Sequence, residues 1–190
     1  MTSAEKSENF RSIGVGDVRA GIYYQIMYEG AQRPDLLLSW DVKSNSGKSP
    51  YVVPVNTVPL GTGHWDASLG FKVARTIDPV VLFGDFAYTY VVEREIRGSN
   101  VKPGDSINLG LGTGFALNDQ ILMSFKTLGS YLFRPKIDGQ EINTISTPFL
   151  FNISLVKIFG KYKFLEPSIS FGISDDAPDL ILGIAYIQRF

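Results

Sequence analysis

His64 is the only histidine in the chain, and Asp66 and Ser68 follow it at alternate positions. These residue types could form a hydrolytic triad, in which imidazole takes a serine proton and a carboxylate orients the ring. The surrounding sequence does not support that chemistry. His64 stands at the exit of a loop, and no G-x-S-x-G elbow presents a nucleophile. Cysteine is absent, which removes thiolate nucleophiles, CxxC redox pairs, disulfides and Cys-ligated zinc. Gly110-Leu111-Gly112-Thr113-Gly114 has the spacing of a phosphate loop but lacks GK[ST] and a following helix. Asp175, Asp176 and Asp179 are cation-ligand types, but Pro178 between them marks a solvated turn. We therefore expect neither an enzyme nor a bound cofactor or metal.

The remaining chemistry is a set of ionisable and amide side chains at alternate positions: Arg19, Asp41, Lys43, Asp66, Lys72, Asp85, Glu93, Asn108, Lys126, Glu166 and Arg189. Asp17, Tyr23, Gln25, Arg134 and Asn152 keep the same phase. Both signs occur in similar numbers, as ion pairs and hydrogen-bonding ladders along a wet wall require. The elements that position them are strands. In Trp65–Val73 one face reads Trp, Ala, Leu, Phe, Val and the other Asp, Ser, Gly, Lys. In Ser106–Leu117 the odd positions are Ile, Leu, Leu, Thr, Phe, Leu, and the even ones are Ser, Asn, Gly, Gly, Gly, Ala. A helix would scatter both sets around its circumference.

Nine strands are expected, at about 17–29, 35–44, 64–76, 79–94, 105–118, 120–134, 147–159, 162–174 and 179–190. Short turns at 76–79, 118–119 and 160–161 alternate with long loops at 45–63, 95–104 and 135–146. Outer-membrane barrels alternate in this way, with the short turns on the periplasmic side. The expected fold is all-β, an antiparallel up-and-down transmembrane barrel. Residues 1–13 form a polar tail and 14–190 the barrel domain. Strand 17–29 must run downward from the outside, so an upward strand should precede it. An even count then makes these nine strands part of a barrel of about 10 or 12. The N-terminus carries no apolar leader, so this reading takes the chain as a mature or N-terminally shortened form.

Alternation does not say which face is inside. A soluble lipocalin-like barrel binding an apolar ligand has the same period with the faces exchanged. Aromatic placement favours the membrane. Tyr24, Tyr28, Trp40, Trp65, Tyr88, Tyr90, Tyr131, Phe133, Phe149, Phe151, Tyr186 and Phe190 share the apolar phase, many near strand ends, where such rings anchor in the headgroup layer. Mean hydropathy is only +0.06, as alternation averages out, and no apolar run approaches the ~18 residues of a membrane helix. A net charge of −1 gives no basic field for nucleic acid.

The last residues, Leu180 to Phe190, place Leu180, Leu182, Ile184, Tyr186 and Phe190 on one face. This ending resembles the C-terminal assembly signal of bacterial outer-membrane proteins, carried by Tyr186 and Phe190; Gln188 departs from it. Gly14-Val15-Gly16-Asp17-Val18-Arg19-Ala20-Gly21-Ile22-Tyr23-Tyr24, Gly61-Thr62-Gly63-His64-Trp65-Asp66 and Ser174-Asp175-Asp176-Ala177-Pro178-Asp179 are similar to patches of a family of outer-membrane transporters. That family is associated with the meta-pathway of phenol degradation and has relatives that export functional amyloid subunits. Gly47-Lys48-Ser49-Pro50 stands where the family commonly shows Pro-Thr-Gly.

The resemblance implies an outer-membrane channel or transporter for small solutes, hydrophobic or aromatic ones among them. The expected partners are outer-membrane lipids, the barrel-assembly machinery and the solute, with no nucleic acid; the sequence leaves the oligomeric state open. A rival expectation is a structural barrel whose loops 45–63 and 135–146 bind a partner. Inward glycines at 70, 110, 112, 114, 172 and 183 leave room beside the wall or permit its coiling.

Overall fold

The computed structural model describes residues 12–52, 57–142 and 145–188. Arg189 and Phe190 lie outside the described residues, as does most of the polar tail. Thirteen strands form two sheets. The larger contains β1 (Arg19–Met27), β2 (Asp35–Lys43), β3 (Asp66–Ile77), β4 (Val80–Val91), β7 (Ser106–Asn118), β8 (Ile121–Leu132), β11 (Phe149–Phe159), β12 (Lys163–Gly172) and β13 (Leu180–Gln188). Neighbours in the order β1-β2-β3-β4-β7-β8-β11-β12-β13 pair antiparallel, so among the described residues β1 and β13 stand at the two edges with one partner each. All nine expected strands are present, and their ends shift by a few residues.

Turn chemistry explains the meander. At one end of the strands the links are short: 28–34, 78–79, 119–120 and 160–162. Link 28–34 is held by Arg75, whose guanidinium donates to the carbonyls of Gly30 (2.6 Å), Ala31 (2.6 Å) and Arg33 (2.7 Å). Beside it the Thr76 amide and hydroxyl donate to Glu29, which lowers the Glu29 pKa. At the other end the links 44–65, 92–105 and 133–148 are long.

Two of those long links are not irregular, contrary to expectation. Links 92–105 and 133–148 contain hairpins: β5 (Arg94–Ile96) with β6 (Ser99–Lys102), and β9 (Lys136–Ile137) with β10 (Gln140–Glu141). Their turns, Arg97-Gly98 and Asp138-Gly139, have positive φ at both residues (53° and 85°, 49° and 79°). That is the geometry of the tight turn whose twist matches flanking strands, and Asp-Gly is a strong signal for it. β6 pairs with β9 to join the hairpins into one four-stranded sheet.

Burial is inverted relative to a soluble domain. Among the described residues no hydrophobic side chain is buried, whereas Ser39, Lys43, His64, Asp66, Ser68, Ser154 and Ser170 are. Trp65, Leu69, Leu109 and Phe171 are 41–51% exposed. Glycine and small polar residues line much of the sheltered face. Apolar residues crowd the other face, where Phe125 and Phe151 stack at 6.2 Å and Tyr131 and Phe133 meet edge-on at 5.1 Å.

Candidate functional site: a sheltered polar face and its buried rim

Cross-strand register gathers the expected residues on the sheltered face. One row runs Arg19–Lys43–Asp66, the next Gly21–Asp41–Ser68–Thr89–Ser106, and the third Tyr23–Ser39–Gly70–Ala87–Asn108–Ser130. Lys72 and Asp85 are direct neighbours in the row below. Arg19, Asp41, Asp66, Lys72, Asp85 and Asn108 all border one cavity of about 650 Å³. Hydroxyl and amide pairs continue around the face: Thr89 to Ser68 at 3.1 Å, Ser130 to Asn108 at 2.7 Å, Ser124 with Ser154 at 2.8 Å and Asn152 to Ser170 at 2.8 Å. Alternation places each of these groups inward, and strand order makes them adjacent.

The charges differ in how they are used. Lys126 on β8 forms an ion pair with Asp85 on β4, reaching past the intervening strand β7. Lys72 is aligned with Asp85 in register, but its ammonium lies 5.7 Å from the ring centroid of Tyr23. Glu166 keeps the inward phase on β12, opposite Ala185 of β13. Glu93 lies beyond the end of β4 and is exposed, outside the row expected for it. Arg134 also departs from the inward set. It follows β8 and lies 3.6 Å from Glu141 in a cavity shared with Tyr131 and Phe133, which belong to the apolar face.

At the long-loop end of β1–β3, Asp17, Lys43 and Asp66 are buried and engaged with one another. The Lys43 ammonium is 2.9 Å from Asp66, 3.4 Å from Asp17 and also donates to Thr62. Asp17 accepts from the amides of Gly47 (2.9 Å) and Thr62 (2.8 Å) and from the Thr62 hydroxyl (3.0 Å). Burial alone would raise the Asp17 pKa; these hydrogen bonds and Lys43 outweigh it and bring it to about 2. The cluster ties residues 12–18 and loop 44–65 to the rim of the sheet.

His64 completes that rim. It is 2% exposed, with Nδ1 3.1 Å from the Val92 carbonyl and Nε2 3.2 Å from the Tyr51 hydroxyl. Burial lowers its pKa, and the positive charges of Arg94 and Lys43 act in the same direction. Both ring nitrogens are occupied by structural partners, so His64 anchors loop 44–65 to the end of β4. Among the described residues no cluster of three or more His, Asp or Glu could hold a metal.

Phe83 was not among the expected inward residues. Its ring lies over Gly112, and Phe83 and Gly112 are aligned in register. Val80, Val81, Leu82 and Phe83 form a continuous apolar run that hides the strand phase. The Asp85–Gly110 alignment restores that phase. Leu128 and Leu150 share the same face, so the lining includes apolar patches.

A meander whose apolar residues face out and whose charges are sheltered has the architecture of an outer-membrane β-barrel. The structure aligns with the crystal structure of an outer membrane channel from Pseudomonas putida F1 at a TM-score of 0.75 and 12% sequence identity. The alignment covers 92% of this chain and 66% of the channel's chain, so this chain spans just under two thirds of that protein's length. The fold is therefore the all-β, up-and-down architecture of outer-membrane barrels. No family model matches the chain.

Proposed function

We propose that the chain forms most of the wall of an outer-membrane channel that passes small solutes along its sheltered polar face. The inverted burial carries this reading: in the nine-stranded sheet the large exposed side chains are mainly apolar, while the buried side chains among the described residues are Ser, Lys, His and Asp. Exposed apolar surface on this scale calls for an apolar environment, and a belt of it around an antiparallel meander suits the hydrocarbon of a bilayer. The likeness to the Pseudomonas putida channel supports a conducting role. Arg19, Asp41, Lys43, Asp66, Lys72, Asp85, Glu93, Asn108, Lys126, Glu166 and Arg189 would line the passage or its mouth. Its solutes are small and include hydrophobic or aromatic ones, which fits Phe83, Leu128 and Leu150 beside the charges. In this reading the protein is no enzyme, and an even-stranded barrel of about 10 or 12 strands encloses the pore. Tyr186 and Phe190 present it to the barrel-assembly machinery.

Planar-bilayer recording of the full-length protein tests this. Discrete conductance steps are expected, with selectivity moving toward anions in Asp41→Asn and Asp85→Asn. A folded, membrane-inserted protein that conducts nothing would overturn the channel and favour a structural barrel. A protein that stays monodisperse in buffer without detergent would overturn the membrane reading altogether.

A further inference from the structure

Lys102 on β6 and Lys136 on β9 are directly opposite each other in the four-stranded sheet. Like charges facing across a strand pair destabilise it, so this arrangement calls for an anion. Both lysines border a cavity of about 500 Å³ together with Arg134. The carboxylates nearby only partly answer them. Glu141 is shared between Lys136 at 3.3 Å and Arg134 at 3.6 Å, and all three side chains are about half exposed. Such pairs contribute little and yield readily to a better anion. Asp105, 3.4 Å from Lys102, is already engaged by the Tyr88 hydroxyl at 2.8 Å and the Val91 amide at 3.0 Å. Three cations therefore face two carboxylates, one of them already engaged by two other donors.

The other wall of the cavity is aromatic. Tyr88, Tyr131 and Phe133 come from the apolar face, and the Lys102 ammonium sits 4.5 Å above the neighbouring Tyr90 ring. The site thus lies at the long-loop end, where the apolar belt stops and the cations begin. We propose that this cavity binds the phosphorylated headgroup of a membrane lipid, with phosphate on Lys102, Arg134 and Lys136 and the acyl chains along Tyr88, Tyr131 and Phe133. The proposal rests on the apolar face meeting lipid, as above. Guanidinium and ammonium groups suit phosphate oxygens, and their stems suit the headgroup boundary. Free phosphate could use the cations but not the aromatic wall.

Native mass spectrometry of the full-length protein in detergent, titrated with a diphosphorylated glycolipid, tests the site. Wild type should carry lipid adducts. The double variant Lys102→Gln/Lys136→Gln should lose occupancy by about tenfold. Lys161→Gln, at the short-turn end, should leave it unchanged. Without lipid, the double variant should melt close to wild type, because relief of the like-charge pair offsets the loss of the weak Lys102–Asp105 and Lys136–Glu141 pairs. A variant that no longer folds is replaced by Arg134→Gln, which should lose adducts in the same way. Equal adducts in wild type and double variant, or equal binding of a lipid with an uncharged headgroup, would overturn the proposal. Competition by inorganic phosphate at equal concentration would assign the site to free phosphate and overturn the lipid. Conductance of the same samples separates the two readings: adducts without conductance sink the channel alone, and conductance without adducts sinks this site alone.

Discussion

Lys126 meets Asp85 directly above Gly110, the residue of the intervening strand that has no side chain to keep them apart. A Cβ built on Gly110 would stand 2.5 Å from Lys126 Cε and 2.7 Å from both Asp85 oxygens. The expected alternatives for the inward glycines were room beside the wall and freedom to coil. At Gly110 the structure supports the first: the missing side chain lets a cation on β8 reach an anion on β4.

Gly110→Val is therefore expected to push two flexible side-chain ends apart rather than to move backbone. The stability cost should stay within about 1 kcal/mol, typical of a partly exposed ion pair. Conductance, in contrast, should change, because both charges are released into the passage. Thermal unfolding in detergent and bilayer recording of the same variant check the two halves; unchanged conductance with a broken pair would show that the pair does not face the solute path.

Gly104→Ala should be far more damaging. A Cβ there would fall on the carbonyl oxygen of Phe133, which is backbone. It would displace the link in which the Phe133 amide donates to the Asp105 carbonyl at 2.9 Å. A loss of about 3 kcal/mol is expected from overpacking of this kind. Heat-modifiable migration on gels reports it, and wild-type behaviour would count against the described path of residues 103–105.

Acid should release the rim. The Asp17 pKa lies near 2 in the folded protein against an ordinary 3.8. The folded state thus binds fewer protons, so this stabilisation is complete above pH 3.8 and is lost as pH falls toward 2. Protease sensitivity of residues 12–18 and loop 44–65 should rise across that window. Asp17→Asn should be sensitive at every pH, with about 1–3 kcal/mol lost to unsatisfied partners. A flat wild-type profile between pH 5 and pH 2 would contradict the clustering of Asp17 with Lys43.

Removing Phe190 is expected to reduce insertion into the outer membrane severalfold in cells while leaving detergent-refolded protein intact. The comparison separates recognition by assembly machinery from intrinsic stability. Equal insertion of the shortened and complete chains would dismiss the terminal aromatic as a signal.

Period-two alternation did not show the short hairpin strands β5, β6, β9 and β10 or the inward phase of Phe83. By itself it determined the nine long strands, most of their inward residues and the parity of short and long links. Each of these is local: a side chain's face follows from its position along one strand, as at Asp66, Ser68, Gly70 and Lys72. Which face is sheltered was not local, because both orientations share one period, and only the burial of Ser39, Ser68 and Ser154 in the assembled sheet decided it. Lys126 and Asp85 are 41 residues apart, so their contact needed the strand order and the bare surface of Gly110. The union of β6 with β9 brought Lys102 against Lys136 for the same reason. Alternation sets direction, and tertiary structure sets neighbours, because pairing energy depends on strands that the chain places far apart in sequence.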